Sequence, residues 1–221
     1  MLSTKDMSAG SGKARPVIGV GNQTFKINKI TFDQTPYDKE AYNVILHVES
    51  KPVGGDFEGF LVDPNNPNGP RYQGQVGRIR ISPYPFKDTT LPSGREISRD
   101  TEVLKTMINL SEVLGKRDEL DSIEANSIEE FMASADKVLS GDTYINACVG
   151  GREWENKEGY INYDLFLPRN SKDGVAMESI DTENSRLYKF SKEEHVKEIK
   201  KSENTGSFEP TLSSGGDDFD L

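Results

Sequence analysis

The stretch that decides the fold is Thr143–Arg169, TYINACVGGREWENKEGYINYDLFLPR. Two runs rich in β-branched and aromatic residues flank the polar spacer 155–159, and this spacer ends in a glycine, which adopts positive φ at no steric cost. Such a pattern is typical of two antiparallel strands joined by a short or bulged loop. We therefore predict a β-hairpin over this stretch.

The tip of this hairpin concentrates cationic and aromatic side chains. Because side chains along a strand alternate between two faces, the apolar face that carries Ile145 and Val149 lies opposite a polar one. The polar face and the tip carry four side chains that suit a flexible anionic ligand: Arg152, Trp154, Lys157 and Tyr160. A plain hairpin with an aromatic cross-strand pair would explain the same residues.

Further strands and two helices are predicted upstream of the hairpin. The strands are predicted from alternation and from β-branched and aromatic content, at Phe25–Phe32, Tyr42–Ser50, Phe57–Asp63 and Tyr72–Phe86. Helical spacing of apolar residues predicts a helix over Thr101–Leu114, with Asp100 as its N-cap and Gly115 as its end. The capping box Ser127–Glu130 begins a second helix.

Short, glycine-bearing strands with helices inserted before the last hairpin predict a small closed sheet. The predicted fold class is mainly β: a five-stranded barrel of the OB type, with two helices inserted before the final hairpin and a flexible acidic C-terminal tail. In barrels of this type, one face and the loops that join strands 1–2 and 4–5 bind oligonucleotides or oligosaccharides.

Composition divides the chain into three parts. Residues 1–16 are rich in Ser, Gly and Lys and are predicted to form a disordered arm. Residues 17–169 form the predicted barrel domain. Residues 170–221 are predicted to be a polar linker, with a short charged helix from Ser191 to Lys200, that leads into the acidic tail.

The charges of the chain are segregated. The formal net charge of −10 argues against simple electrostatic capture of nucleic acid by the whole molecule. Residues 71–105, however, contain seven basic and four acidic side chains. On the predicted strand in this region, Arg78 and Arg80 alternate with Ile79 and Ile81, so we expect a cationic surface on one face and core on the other.

This combination suits single-stranded nucleic acid. Binding without sequence preference requires a cationic groove along the phosphates and aromatic platforms that contribute about 1–3 kcal/mol per stacked base. The candidate cations are Arg78, Arg80, Lys87, Arg152 and Lys157, and the candidate platforms are Tyr72, Tyr84, Phe86, Trp154 and Tyr160. A share of these aromatic side chains is expected in the core instead.

Sequence motifs for catalysis or metal binding are not found. His47 and His195 lie far apart in the chain, and no phosphate loop, nucleophile elbow or dinucleotide fingerprint occurs. We therefore expect a protein that is not an enzyme and that holds no cofactor or metal. The single cysteine, Cys148, and an N-terminal stretch without the apolar run of a signal peptide favour a reducing cytoplasm.

Four segments resemble single-stranded-DNA-binding proteins encoded by tailed bacteriophages: Tyr42–Ser50, Phe57–Phe60, Gly74–Phe86 and Gly150–Pro168. The resemblance covers residues 17–169. It implies sequence-independent binding of single-stranded DNA during phage replication, recombination and repair, in the cytoplasm of the infected bacterial host.

The end of the chain resembles the acidic tip that such phage proteins carry. The residues concerned are Asp217, Asp218, Phe219, Asp220 and Leu221. The resemblance implies that this tip recruits replication proteins such as a polymerase, a helicase or a primase. One departure is that the tip ends in leucine after an internal phenylalanine, where related tips often end in phenylalanine. The sequence therefore leaves open which partner pocket accepts this tip.

Two other functions also stay open. A phage structural or protein-interaction barrel without DNA-binding activity would use the same hairpin to hold a protein. An oligosaccharide-binding barrel would use the aromatic platforms for sugar rings, although the basic strand favours phosphate-bearing ligands over neutral sugars.

Overall fold

The computed structural model describes residues 15–63, 65–169 and 174–198. Its strands are β1 (Gly21–Gln34), β2 (Tyr42–Ser50), β3 (Val76–Arg80), β4 (Thr89–Thr90), β5 (Glu96–Ile97), β6 (Tyr144–Glu155), β7 (Ile161–Phe166), β8 (Met177–Ser179) and β9 (Val196–Lys197). Its helices are α1 (Arg99–Leu114), α2 (Arg117–Asp121), α3 (Ile128–Leu139) and α4 (Lys192–His195).

Five of these strands close into a mixed β-barrel. β1, β2 and β3 form an antiparallel meander, and β3 then runs parallel to β7. β7 pairs with β6 in the predicted hairpin, and β6 pairs with β1 to close the sheet. This arrangement is a closed five-stranded barrel of the OB type, which confirms the predicted fold class.

Alternating side chains divide the barrel into an inside and an outside. On β2, Val44, Leu46 and Val48 are buried, whereas the residues between them are only half-buried. On β3, Ile79 is fully buried between Arg78 and Arg80. The predicted separation of a cationic surface from the core is therefore confirmed on this strand.

A bulge interrupts this alternation in β1. Ile27 pairs with Val48 and Lys29 pairs with His47, so β1 contains one residue more than β2 between these two pairs. As a result, Ile27 and Ile30 both point into the core, and Lys29 points outward.

The helix α3 stabilises this bulge. The Asp136 carboxylate accepts a hydrogen bond from the Ile30 backbone N–H and another, of 2.8 Å, from the Ser140 hydroxyl. The Gly141 N–H donates to the Ile27 carbonyl at 2.8 Å. The C-terminal end of α3 thus supplies partners for backbone groups on both sides of the bulge.

The helices pack on one common core with the barrel. Met107 and Leu110 of α1 and Met132 and Leu139 of α3 are buried in the same apolar cluster as the inward side chains of the strands. Among the residues described, no helix is both long and apolar enough to cross a membrane.

The predicted ends of the helices are mostly confirmed. Ser127 accepts a hydrogen bond from the Glu130 N–H at 3.1 Å, and Gly115 ends α1 in the left-handed conformation at φ 67°. The predicted N-cap Asp100 is wrong, because α1 begins two residues earlier, at Arg99, with Ser98 as its N-cap. The Asp100 carboxylate instead accepts from the Arg99 side chain at 2.8 Å.

Two of the predicted strands differ from the structure. Phe57–Asp63 is not a barrel strand, because the Tyr72 N–H donates to the Phe60 carbonyl and Leu61 forms one bridge with Arg71, so this segment folds back locally. The predicted strand 72–86 is reduced to β3. Beyond β3, the Ile81 N–H still donates to the Val44 carbonyl at 3.0 Å, and Phe86 forms an isolated bridge with Tyr42.

The prediction of a linker is wrong over residues 174–198. Residues 174–198 pack against the barrel: β8 pairs antiparallel and β9 parallel with β6. Ala176, His195 and Val196 are buried there. The predicted helix 191–200 is also shorter, because α4 ends at His195 and the chain continues as β9. The parts of the predicted arm and tail at 1–14 and 199–221 lie outside the described residues.

The contact between Asp136 and the β1 bulge gives a prediction for stability. Asp136→Ala removes the acceptor of the buried Ile30 N–H, and we expect a loss of about 1–3 kcal/mol in the free energy of unfolding, measured by urea denaturation. Glu129→Ala, an exposed site on the same helix, should change it by no more than about 0.5 kcal/mol. Equal, small effects of both substitutions would show that the contact does not stabilise the bulge.

Candidate functional site

An open groove with a volume of about 1230 Å³ crosses the outer face of the barrel. Its floor consists of outward side chains of β1, β2, β3, β6 and β7. Residues 15–20 lie along one side, held where the Ile18 N–H donates to the Val76 carbonyl at 2.9 Å. Pro36 and Tyr37, in the loop between β1 and β2, also line it. We call this feature the groove.

The groove is cationic although the chain is acidic. Among the residues that the structure describes, five basic side chains line it, together with one carboxylate, that of Asp164; the five are Arg15, Lys29, Arg78, Arg80 and Arg152. The protein as a whole has a formal net charge of −10. A concave surface lined by one sign of charge concentrates the field and attracts ions of the opposite sign. The groove is therefore suited to an anionic ligand.

Strand register arranges part of this charge in a row. Lys29 of β1 pairs with His47 of β2, and His47 pairs with Arg78 of β3. Side chains of paired residues on one face lie next to each other. This row crosses three adjacent strands, so that an anionic chain lying along it would meet one cation after another.

His47 lies within this row. Its Nε2 is 3.3 Å from the Thr31 hydroxyl. Burial and the positive charges of Arg78 and Lys29 lower the pKa of His47 below its ordinary value of 6.5. A neutral imidazole avoids adding a third charge to the row, and it offers a hydrogen-bonding group instead.

Arg80 is the most enclosed cation of the groove. Its Nη2 is buried and has no hydrogen-bond partner within the described ranges. Burial lowers the pKa of Arg80, while the nearby Asp164 carboxylate opposes that effect. An anionic oxygen at this position would supply the missing acceptor, because a buried N–H without a partner costs free energy.

Exposed aromatic side chains stand beside the cations. Tyr37 is 96% exposed, and Phe60 and Trp154 are each 46% exposed. All three line the groove. Large apolar rings are usually covered, and those left open next to a charged surface are available to stack on a ligand.

The structure brings five of the ten predicted DNA-binding residues into the groove. These are Tyr72, Arg78, Arg80, Arg152 and Trp154. Trp154 faces Asn162 across the hairpin, and Arg152 faces Asp164. Tyr160, 66% exposed, lines an adjoining recess with Arg15 and Asn156, and Lys157 lies exposed at the hairpin tip.

The other predicted residues lie outside the groove. Phe86 is partly buried against the core and is therefore not available as a platform. Lys87 forms an ion pair of 3.6 Å with Asp38. Tyr84 contacts Lys197 in the segment that was predicted as linker. The predicted partner-binding residues 217–221 lie outside the described residues.

Several groove residues were not predicted from the sequence: Arg15, Lys29, Tyr37, His47, Phe60 and Tyr163. A signal existed for two of them. The apolar residues of β1 fall on odd positions up to Ile27 and on even positions from Ile30 onward. This change indicates a bulge, which turns Lys29 outward. His47 alternates with the apolar residues of β2. No local pattern indicates Tyr37 or Phe60, because both are loop residues whose position depends on the tertiary structure.

Comparison of the chain with protein-family models, curated proteins and solved structures finds no match. The resemblance to phage proteins therefore stays a prediction. What the protein binds has to be inferred from the groove itself, from its charge, its aromatic side chains and its place on the barrel.

Proposed function

We propose that the protein binds single-stranded DNA in the groove, without sequence preference. The observation that supports this best is the lining of the groove in the described ranges: five cations, one carboxylate and three exposed aromatic rings, in a chain of net charge −10. In barrels of the OB type this face is the usual place for an oligonucleotide.

The two kinds of side chain match the two parts of a single strand. Lys29, Arg78 and Arg80 would neutralise successive phosphates. Tyr37 and Trp154 would stack on bases, and every base has a π face, so stacking gives little sequence preference. In a duplex the bases are already stacked on each other, so no base face is free to stack on the aromatic side chains.

The wider role is proposed from the sequence. Binding of single strands without sequence preference suits DNA replication, recombination and repair, here of a bacteriophage in the cytoplasm of its host. The acidic tip would recruit a polymerase, a helicase or a primase. No catalytic step is proposed for the groove.

The charged row gives the first binding prediction. We expect labelled oligo-dT to bind much more tightly than a matched duplex in fluorescence anisotropy. Each phosphate contact should contribute about 0.7 to the slope of log K against log salt. The double substitution Arg78→Gln with Arg80→Gln should weaken binding and reduce this slope by about 1.4.

The matched control removes two cations on the helices, Lys105 and Lys137, both exposed and outside the groove. The slope of log K against log salt for this control variant should equal that of the wild-type protein. Equal affinity for duplex, or the same loss in both double variants, would contradict the proposal. A protein that binds no oligonucleotide would favour the protein-interaction barrel instead.

Trp154 gives a second binding prediction. Because its ring is 46% exposed at the edge of the groove, Trp154→Ala should weaken oligo-dT binding by about 1–3 kcal/mol with little change in unfolding free energy. Trp154→Phe keeps a stacking face and should lose less. Trp154 is the only tryptophan, so oligo-dT should also quench the tryptophan fluorescence of the wild type. Unchanged fluorescence together with unchanged affinity of the alanine variant would remove Trp154 from the site.

The acidic tip gives a third prediction, at the level of partners. Deletion of residues 215–221 should abolish association with the replication polymerase, helicase or primase, measured by co-sedimentation. It should also tighten oligo-dT binding, most at low salt, because an anionic tail competes with DNA for the cationic groove. A truncated protein that keeps all these partners and binds DNA no better would show that the tip only solubilises the chain.

A further inference from the structure

A second cationic cluster lies outside the groove, around the side chain of Tyr84. The Lys197 ammonium lies 4.4 Å from the centre of the Tyr84 ring and donates a hydrogen bond of 3.0 Å to its hydroxyl. The Arg169 guanidinium lies 5.3 Å from the same ring centre. Tyr84 is 50% exposed, and both cations are exposed as well. We call these three residues the Tyr84 cluster.

The sheet places this cluster beside the cations of the groove. Lys197 of β9 pairs with Arg152 of β6, so their side chains lie next to each other on the outer face. Arg80 of β3 pairs with Phe166 of β7, and the Lys197 ammonium lies 5.8 Å from the centre of that ring. Arg80 and Arg152 are thus the groove cations that lie next to the Tyr84 cluster.

Cations of both surfaces act on the Tyr84 hydroxyl. The hydrogen bond from Lys197 and the charges of Lys197, Arg169 and Arg152 lower the pKa of the Tyr84 hydroxyl. Arg152 belongs to the lining of the groove, whereas Lys197 and Arg169 belong to the cluster. One phenol therefore experiences the cations of both surfaces.

Two carboxylates next to Arg152 and Lys197 in the chain are paired with another cation. Glu153 and Glu198 form ion pairs with Lys192, at 3.5 and 2.9 Å. Within the described ranges, neither Arg169 nor Lys197 forms an ion pair with a carboxylate. Two exposed like charges held by one ring repel each other, and an anion between them would relieve that repulsion.

We propose that the Tyr84 cluster is a phosphate subsite through which the bound strand continues after it leaves the groove past Arg80 and Arg152. Arg169 and Lys197 contact the backbone phosphates, and Tyr84 is a positioning residue that holds the two cations together. This inference rests on the proposed function of the groove. It makes the segment 174–198, predicted as linker, a part of the binding surface.

A subsite of this kind contacts only strands that are long enough to reach it. A short oligo-dT fills the groove alone, and a longer one also reaches the cluster. The double substitution Arg169→Gln with Lys197→Gln should therefore leave the affinity for the shortest bound oligonucleotide within about twofold of the wild type. For the longest it should lower the salt slope by about 1.4, the contribution of two phosphate contacts.

The experiment measures anisotropy across an oligo-dT series from about 4 to about 16 nucleotides, at several salt concentrations. The charge-matched control is Lys105→Gln with Lys137→Gln, on the exposed surface of α1 and α3. It should follow the wild type at every length.

The outcomes separate the two proposals. If the wild type binds no oligo-dT at any length, the proposed function fails. If the wild type binds oligo-dT and the Arg169→Gln, Lys197→Gln variant has the same affinity at every length and salt concentration, binding in the groove is supported and the proposed subsite is wrong. Equal weakening for short and long strands would also overturn the subsite, because it would show that the cluster acts on the groove rather than extends it.

Discussion

One extra residue in β1 decides which side chains face the ligand. The bulge between Ile27 and Lys29 exchanges the odd and even positions that face the core. Apolar residues before and after it can therefore both reach the core. Without the bulge, Lys29 would point into the barrel, where an unpaired charge is costly. With it, Lys29 stands beside His47 and Arg78 on the outer face. The charged row of the groove depends on this local irregularity, and α3 holds the irregularity in place through Asp136.

The barrel also explains how an acidic protein presents a cationic surface. Closure of the sheet through the pairing of β1 with β6 gives every strand one inner and one outer face. In the part of the chain that the structure describes, none of the residues lining the groove belongs to a helix. The acidic side chains of α1, α2 and α3 are therefore absent from the lining of the groove.

Regular alternation made part of this structure predictable from the sequence. Tyr42–Ser50 was predicted with its observed bounds, because its core residues Val44, Leu46 and Val48 recur at every second position. The hairpin, both long helices and the cationic face of β3 follow from equally local patterns. Phe57–Asp63 was predicted wrongly because β-branched and aromatic content does not show that its partner is the adjacent segment around Arg71.

Features that depend on distant pairing were not predictable in this way. β8 and β9 have three and two residues, too few for a periodic pattern. They are strands because their backbones pair with β6. Tyr37 and Phe60 reach the groove through loops. The Tyr84 cluster joins Tyr84 to Lys197, 113 positions apart in the chain, and only the closed barrel brings them together.

The measurement that tests the central claim most directly is a two-dimensional NMR titration of the isotope-labelled protein with oligo-dT. If the groove binds single strands, the largest changes should fall on the amides of Lys29, His47 and Arg78 and on the indole N–H of Trp154. The amides of α1, α2 and α3 should change little. Saturable changes confined to the helices, with the signals of β2 and β3 unmoved, would contradict the account.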